Sequence, residues 1–306
     1  MQHFIEDERM LHELSKRFPV PGLTFEKGSG GLLRAVVDTP SSQGEVMLQG
    51  AHITLWKPTG QKPVLWLSQK SHFEKGKPIR GGVPICFPWF GPNAKDGTLP
   101  AHGFARLVEW KMVGAHANED GTIVLRLETS IEPFAVSFQI EFGRELKMNL
   151  TTQLSANEKS GQSFEDALHT YFAVSDIRFI SIEGLEDSAF VDKVDQALLK
   201  AASGIPIRFT GETDRVYVGT QADCRLLDEG MRRIIRIAKS GSSSTVVWNP
   251  WTDKSKRMAD FGDDQWPSMV CIETANVGMN LIELLPGESH STTSIISVEP
   301  LVNSVE

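Results

Sequence analysis

Residues Phe134–Phe142 read FAVSFQIEF, and this stretch decides the fold class. Every second residue in it is large and apolar, whereas the residues between them are small or polar. Successive side chains of a β-strand point to opposite faces, so this alternation predicts a strand with one buried face. Residues 123–127 and 146–150 alternate in the same way on either side of it. We therefore predict a run of β-strands in this part of the chain.

Segments with β-strand character outnumber helical ones in the rest of the sequence. Short runs such as VVDT, FISIEG, RRIIRIA and STVVWNP lie between turn signals. Helical periodicity is clear only where Leu11, Leu14 and Phe18 share a face, although residues 192–201 could form one short turn. Many strands with few crossover helices predict an all-β fold, a large antiparallel β-sandwich. The Gly-Ser tract at 240–244 is short enough to be a hairpin loop.

The length of the chain is compatible with one domain. The sequence has 306 residues and contains no internal repeat or low-complexity linker. An all-β sandwich can exceed about 200 residues as a single unit. We expect residues 1–306 to form one domain, with residues 1–40 as an N-terminal extension packed on it. We also expect a monomer.

Charge and cysteine content argue against several functions. The net charge of −8 argues against a nucleic-acid partner, which needs a basic face, although a few arginines can still form a local phosphate site. The three cysteines are far apart, so neither a disulfide framework nor a zinc site is indicated. The sequence begins with a charged segment and contains no run long enough to span a membrane. We expect a cytoplasmic protein with no membrane partner.

Two polar stretches carry candidate ligand-binding residues. In Pro78–Pro92, prolines and glycines predict a packed loop, and Arg80 stands beside two glycines whose bare backbone can approach a ligand closely. In residues 100–106, His102 and Arg106 form a compact polar cluster. By composition alone, each of these three side chains could equally be a surface or structural group.

Two further stretches place titratable residues beside apolar ones. His169 lies just before two aromatic residues, which could hold its imidazole in place, but it could also be a structural histidine. Glu273 ends an apolar run that predicts a buried strand, and bare burial of a carboxylate is very costly. We therefore expect Glu273 to be paired, hydrogen-bonded or placed in a cleft. Asp214 is a weaker candidate, since it can cap a turn or pair with Arg215.

Opening of a sugar ring is one reaction that would use these residue types. The anomeric hydroxyl loses a proton while the ring oxygen gains one, which calls for a base and an acid on opposite sides of the sugar. A carboxylate can be the base, and a protonated imidazole the acid. Arginines would hold a phosphate, and Trp89, Phe90 or Phe104 would provide an apolar floor. Spacing alone does not settle the function, because only the fold can bring Glu273 and His169 together.

Seven motifs, in order along the chain, resemble the hexose-6-phosphate mutarotase family, the glucose-6-phosphate 1-epimerases, in its bacterial form. The resemblance spans residues 44–298. The motifs are GAHITLWKP, VLWLS, IRGGVPICFPWFGP, PAHGFAR, LHTYF, TDRVY and VCIETANV. The resemblance implies a galactose-mutarotase-like β-sandwich with its active site on the concave face of one sheet. It implies neither a metal nor an organic cofactor.

The resemblance also implies roles for single residues. Glu273 would be the general base that takes the anomeric proton, and His169 the general acid that protonates the ring oxygen. The open aldehyde would rotate about the bond between C1 and C2, and closure with reversed roles would give the other anomer. Asp214 would hold sugar hydroxyls.

The small-molecule partner implied by the resemblance is a hexose 6-phosphate. Its phosphate would be carried by Arg80 and Arg106, and His102 would also lie at the cleft. The basic cluster within residues 254–257 is expected to be a solvated loop that could border the cleft.

Two alternative functions remain open at this stage. An aldose 1-epimerase that acts on unphosphorylated sugars would use the same acid and base, so only Arg80 and Arg106 discriminate it. A non-catalytic carbohydrate-binding domain could use the same sandwich, since a fold does not determine a function.

Overall fold

The computed structural model describes residues 2–301, which are built mainly from β-strands. Two α-helices and several single-turn 3₁₀ segments accompany the strands. In chain order the helices and strands are α1 (Gln2–Arg17), β1 (Leu23–Lys27), β2 (Leu33–Asp38), β3 (Ser42–Met47), β4 (His52–Pro58), β5 (Ile85–Cys86), β6 (Lys111–Ala117), β7 (Ile123–Ile131), β8 (Phe134–Phe142), β9 (Leu146–Leu154), β10 (Gln162–Phe164), β11 (Asp166–Leu168), β12 (Tyr171–Ala173), β13 (Ile180–Glu183), β14 (Phe190–Asp192), β15 (Leu198–Lys200), β16 (Thr213–Val218), β17 (Cys224–Asp228), β18 (Arg233–Ser240), β19 (Ser244–Asn249), α2 (Trp251–Arg257), β20 (Met269–Asn276), β21 (Ile282–Leu284) and β22 (Ser289–Pro300).

Two eight-stranded antiparallel sheets dominate the architecture. The scaffold sheet has the strand order β13-β17-β18-β22-β9-β8-β7-β6. The site sheet has the order β15-β14-β16-β19-β20-β11-β5, and β12 also pairs with β20. Strands β1 to β4 form a separate four-stranded sheet, and β10 pairs with β21. The predicted all-β, antiparallel class is confirmed.

The two large sheets bury one hydrophobic core between them. In β8, the apolar residues of the alternating stretch are all buried, whereas the residues between them are exposed or half-buried. Val247 and Ile272 of the site sheet join the same core cluster as Phe138 and Leu150 of the scaffold sheet. Because side chains alternate along a strand, the neighbours of Ile272 point to the opposite face of the site sheet. One of these neighbours is Glu273.

A buried polar network ties the site sheet to the scaffold sheet. Asp166 on β11 and Asn276 on β20 lie opposite each other. The carboxylate of Asp166 accepts hydrogen bonds from Asn276 Nδ2 at 2.9 Å and from Thr292 Oγ1, on β22, at 2.7 Å. Burial raises the pKa of Asp166 above its ordinary value, although these two donors oppose the shift. Partnered polar groups of this kind fix register, because a slip would leave them buried without partners.

One local expectation is wrong. Residues 240–244 do not form a hairpin loop, since β18 belongs to the scaffold sheet and β19 to the site sheet. The segment instead carries the chain from one layer of the sandwich to the other. The short turn expected within residues 192–201 is present, and it joins β14 to β15 as a β-hairpin.

The N-terminal helix is present as predicted. Leu14 of α1 and Phe18 just after it are buried in the core cluster, and Leu11 packs against that cluster. Strands β1 and β2 pair with each other, and β2 pairs onward with β3. The division into one domain with an N-terminal extension stays a prediction. Within residues 2–301, no helix is long and apolar enough to cross a membrane.

Candidate active site

Strand register places the candidate acid opposite the candidate base. Strand β11 pairs Leu168 with Thr274, and β12 pairs Tyr171 with Cys271. The same register therefore runs through both short strands, and it sets His169 opposite Glu273. A one-residue slip of β20 would turn the carboxylate to the other face of the sheet.

A second row of side chains lies one step along the same face. Asp214 on β16 lies opposite Trp248 on β19, Trp248 lies opposite Cys271 on β20, and Cys271 lies opposite Tyr171. Antiparallel pairing brings these side chains within contact distance of their neighbours. The site sheet thus presents a polar and aromatic face above the candidate pair.

A cavity of about 370 Å³ opens on this face. All six residues singled out in the sequence line it, namely Arg80, His102, Arg106, His169, Asp214 and Glu273. Its other lining residues were not predicted as a group; they are Phe90, Gly91, Pro92, Ala101, Tyr171, Lys193, Val246, Trp248, Lys254 and Met258. Residues far apart in the chain therefore converge on one concave site of a size suited to a small molecule.

His169 and Glu273 lie side by side and not across the cavity. Their Nε2 and Oε1 atoms are 3.3 Å apart, and Glu273 is almost completely buried. Within residues 2–301, neither oxygen of Glu273 nor Nδ1 of His169 has a hydrogen-bond partner. The sequence predicts an acid and a base on opposite sides of a small substrate, and in the structure the two groups lie on one side of the cavity. Unsatisfied buried polar atoms in a cavity indicate that a ligand completes them.

A stack of aromatic rings fixes the plane of the His169 imidazole. The ring of Tyr171 lies 4.9 Å from it at an interplanar angle of 10°. The centre of the Phe90 ring lies 6.3 Å from the imidazole at 28°, and Trp66 stacks on Tyr171 at 5.8 Å. The imidazole is therefore held by apolar faces, as the sequence around it predicts. Rigid walls of this kind fix the directions of the two ring nitrogens.

Burial disfavours the charged form of both members of the pair. It lowers the pKa of His169 well below its ordinary value, and His102, Arg80 and Arg106 lower it further. It raises the pKa of Glu273 well above its ordinary value, Asp214 adds to the rise, and Lys193 opposes it. Burial therefore favours a carboxylic acid beside a neutral imidazole over the charged pair. This form differs from carboxylate and imidazolium only by the position of one proton, so the pair titrates as a unit.

His102 is held as a neutral hydrogen-bond donor. It has a left-handed backbone with φ of 63°, and its Nδ1 accepts a hydrogen bond from the Gly91 amide at 3.2 Å. Because an amide N–H can only donate, the proton of the neutral ring must be on Nε2. Burial, followed by Arg106 and Arg80, lowers the pKa of His102 to about 3. His102 can thus position a ligand but cannot supply an imidazolium at neutral pH.

Arg80 is held in place by two neighbours. Its Nε and Nη2 contact Asp260 Oδ2 at 3.1 and 3.0 Å, and its Nη1 donates to Tyr171 Oη at 3.0 Å. Although burial opposes the charge, Tyr171 and Asp260 raise the pKa of Arg80 above its ordinary value. Asp260 has no sequence signal that would have identified it, because it lies far away in a loop after α2.

The two glycines after Arg80 serve the protein and not a ligand. Gly81 and Gly82 both have positive φ, and a Cβ atom would lie 2.5 Å from Trp66 O and 2.1 Å from Ile53 O, respectively. Buried His52 contacts Gly81 O through Nε2 at 2.7 Å. The bare backbone therefore packs against neighbouring strands, and the loop that carries Arg80 is rigid.

Arg106 has fewer partners among the described residues than Arg80 has. Its Nη2 donates to Ala101 O at 2.7 Å. Its Nε is buried without a hydrogen-bond partner among the described residues, and no carboxylate there lies within 4.0 Å of it. Burial, and after it Arg80, lowers the pKa of Arg106 below its ordinary value. An anion in the cavity would give this guanidinium the partner that it lacks.

Two lysines complete the charge of the cavity. Lys254 lies on α2, so residues 254–257 are helical and not a solvated loop. Its Nζ is 3.0 Å from Glu212 and 3.5 Å from Asp214. Lys193 lies just after β14, with Nζ 4.7 Å from the centre of the Phe90 ring. No sequence pattern marks Lys193, because it reaches the site only through the pairing of β14 with β16.

The apolar part of the cavity differs from the predicted floor. Of the three aromatic residues expected there, only Phe90 lines it, and Trp248 is a further lining residue. Trp89 and Phe104 instead pack edge to face against each other, with ring centres 5.0 Å apart. The strand pairing of Trp248, which local sequence does not reveal, accounts for the difference.

One group among the described residues has side chains of metal-ligating type close together. Ligand atoms of His169, Cys271 and Glu273 lie within 4.8 Å of one another. Burial raises the pKa of Cys271 well above its ordinary value, so this thiol is protonated. A bound ion would have to displace the proton of this thiol. The expectation that no metal is used stays a prediction.

Comparison with known proteins identifies the family. Residues 35–297 match the sequence pattern of the family described as "Aldose 1-epimerase". The chain belongs to the aldose 1-epimerase family. A protein of Escherichia coli (strain K12) named "Putative glucose-6-phosphate 1-epimerase" is 40% identical over 243 residues, covering 78% of this chain and 82% of that protein. A protein of the same name from Cenchrus ciliaris is 32% identical over 300 residues, covering 93% and 90%.

A solved structure supports the same membership. The crystal structure of a "putative mutarotase (YeaD)" from Salmonella typhimurium aligns with a TM-score of 0.83 and 32% identity. The alignment covers 92% of this chain and 94% of that chain. The predicted galactose-mutarotase-like fold and the predicted family are confirmed.

We expect His102 to stay neutral between pH 5 and 8, because burial and two nearby arginines oppose its charging. The measurement is the ¹⁵N chemical shifts of histidine-labelled protein across this range, with His102→Gln identifying the signal. The shifts should report a proton on Nε2 throughout. A titration with a midpoint near the ordinary value of 6.5 would contradict this assignment.

Proposed function

We propose that this chain interconverts the α and β anomers of glucose 6-phosphate or a related hexose 6-phosphate. The observation that carries the proposal is the unpartnered pair of His169 and Glu273, 3.3 Å apart in a cavity that Arg80 and Arg106 also line. An acid and a base side by side suit proton exchange at two oxygens of one carbon. Family membership and the names of the similar proteins support the same reaction.

The proposed mechanism exchanges one proton at each of the two oxygens bonded to the anomeric carbon. Glu273 takes the proton from the anomeric hydroxyl as the bond between C1 and the ring oxygen breaks. His169 gives its proton to the ring oxygen, which leaves an open aldehyde, a protonated Glu273 and a neutral His169. Rotation about the bond between C1 and C2, followed by the reverse transfers, forms the other anomer. Positioned acids and bases of this kind contribute about 100-fold or more in rate.

The other lining residues would orient the sugar. Asp214 is half-buried at the rim and can accept hydrogen bonds from sugar hydroxyls. His102 offers an N–H donor, and Trp248 offers an apolar face. We place the phosphate at Arg106 and Arg80, because Arg106 has an unsatisfied donor and Arg80 presents a fixed charge beside it.

Several wider expectations are part of this proposal. We propose that residues 1–306 act as a single domain, as a monomer and in the cytoplasm, without a nucleic-acid or membrane partner. The net charge of −8 is consistent with a small anionic substrate only because positive charge is concentrated locally in the cavity.

Exchange of anomers, measured by NMR magnetisation transfer with and without the protein, tests the reaction directly. We expect the protein to accelerate exchange of glucose 6-phosphate far more than exchange of free glucose or galactose. Equal acceleration of the free sugars would favour an aldose 1-epimerase for unphosphorylated substrates. No acceleration of any of them would favour a carbohydrate-binding domain.

Glu273→Gln should lower kcat by about 100-fold or more, because the amide keeps the shape of the side chain and cannot accept the anomeric proton. Binding of glucose 6-phosphate, measured by calorimetry, should remain. Glu283→Gln, on an exposed position of β21, is the matched control. Near-normal turnover by Glu273→Gln would mean that another group is the base.

Arg106→Gln should raise KM for glucose 6-phosphate by about tenfold or more, because a charge-assisted hydrogen bond to the phosphate is lost. Turnover of free glucose should not fall, since its hydroxyls do not need this charge. Arg126→Gln, at an exposed position of β7 in the scaffold sheet, controls for loss of a surface arginine. An equal loss with both sugars would contradict a phosphate role.

A further inference from the structure

We propose that the phosphate of the substrate activates the acid of the pair: by binding at Arg106 and Arg80, it causes the shared proton to move from Glu273 to His169. The phosphate then increases turnover as well as affinity. This inference rests on the proposed function and extends it from where the phosphate binds to what the phosphate does.

The residues proposed to bind the phosphate are linked to His169 through few contacts. Arg80 donates to the hydroxyl of Tyr171, whose ring is stacked on the His169 imidazole at 4.9 Å. The ring of His102 lies 5.6 Å from the same imidazole, edge to face. Arg106 and His102 belong to one short loop and line the same cavity. The cationic side of the cavity therefore faces the acid.

The two members of the pair are influenced by different charges. His102, Arg80 and Arg106 lower the pKa of His169 after burial has done so. The pKa of Glu273 responds instead to Asp214 and Lys193. A negative charge bound at the arginines therefore changes the pKa of His169 more than the pKa of Glu273.

The groups that face His169 come from every part of the cavity. They are Glu273 and Cys271 on β20, Tyr171 on β12, Asp214 on β16, Arg80 in the loop before β5, His102 and Arg106 in the following loop, Lys193 after β14 and Lys254 on α2. Asp214 already has Lys254 as a partner, and Arg80 has Asp260. Arg106 is the arginine of the cavity with no carboxylate partner among the described residues, so a bound dianion neutralises mainly its charge.

The change in proton affinity caused by a bound anion is large enough to alter turnover. A dianion about 6 Å from His169 and about 9 Å from Glu273, in a medium of effective dielectric constant about 20, changes the ratio of their two proton affinities on the order of 20-fold. Raising the proton affinity of His169 relative to that of Glu273 increases the fraction of the pair that is carboxylate and imidazolium. No proton enters or leaves the site in this step, because the proton lost by Glu273 is the one gained by His169.

The first experiment supplies the anion separately from the sugar. Exchange of free glucose anomers is followed by NMR at rising concentrations of sulfate, with chloride at equal ionic strength as the control and enzyme-free rates subtracted. Sulfate is a very weak base, so it adds little catalysis of its own. We expect a saturable increase of at least about tenfold in enzyme-dependent exchange. Arg106→Gln should lose the increase, and Arg126→Gln should keep it.

The second measurement observes the proton itself. The ¹⁵N signals of His169 are compared with 1,5-anhydroglucitol and with its 6-phosphate bound, since neither compound can open its ring. His169→Asn identifies the signal. We expect His169 to keep its second ring proton, and so remain an imidazolium, up to a higher pH with the phosphate ester than with the unphosphorylated compound. The difference should be about one pH unit or more.

The outcomes separate this inference from the proposed function. The inference is overturned if the protein exchanges glucose 6-phosphate but sulfate does not accelerate its exchange of glucose. It is also overturned if the protonation of His169 is the same with both bound ligands. Either result leaves the proposed function in place. Failure to exchange glucose 6-phosphate overturns both. Sulfate that only competes with glucose 6-phosphate means that the arginines bind and do not activate.

Discussion

The antiparallel register of β11 and β12 against β20 is the constraint on which the candidate site depends. It sets His169 opposite Glu273 across one rung of the sheet, while Ile272 beside Glu273 faces the core. The hydrogen bond between Asp166 and Asn276 holds this register three residues away from the pair. Core packing on one face and a buried polar network therefore determine the geometry on the other face.

Burial of the pair has a consequence for the proposed reaction cycle. A carboxylic acid beside a neutral imidazole is the form that the low-polarity surroundings favour. In the proposed mechanism, that same form accompanies the open aldehyde. Burial thus lowers the energy of the ring-opened state relative to the closed state in which the pair is charged, and the cationic side of the cavity determines how readily that charged form is reached.

Local pattern was enough for part of this structure and not for the rest. Alternation in Phe134–Phe142 reveals the buried face of β8, because a strand repeats every two residues. Polar residues in otherwise apolar stretches identify Arg80 and Glu273. Lys193 and Asp260 are not detectable in this way, since pairings and loops distant in sequence bring them to the site. The crossing at 240–244 escapes detection because a short Gly-Ser segment serves a hairpin and a layer change equally well.

The pairing of Arg80 with Asp260 bears on how relatives of this chain should be interpreted. Since Asp260 contacts both Nε and Nη2, much of the charge of Arg80 is already balanced within the protein. An arginine at this position can therefore persist for the sake of Tyr171 and the loop around it, whatever sugar is bound. Arg106, which has no such carboxylate among the residues described, is the better marker of a phosphorylated substrate. A family member that kept the first arginine and replaced the second would retain the architecture of the cavity while losing its preference for an anion.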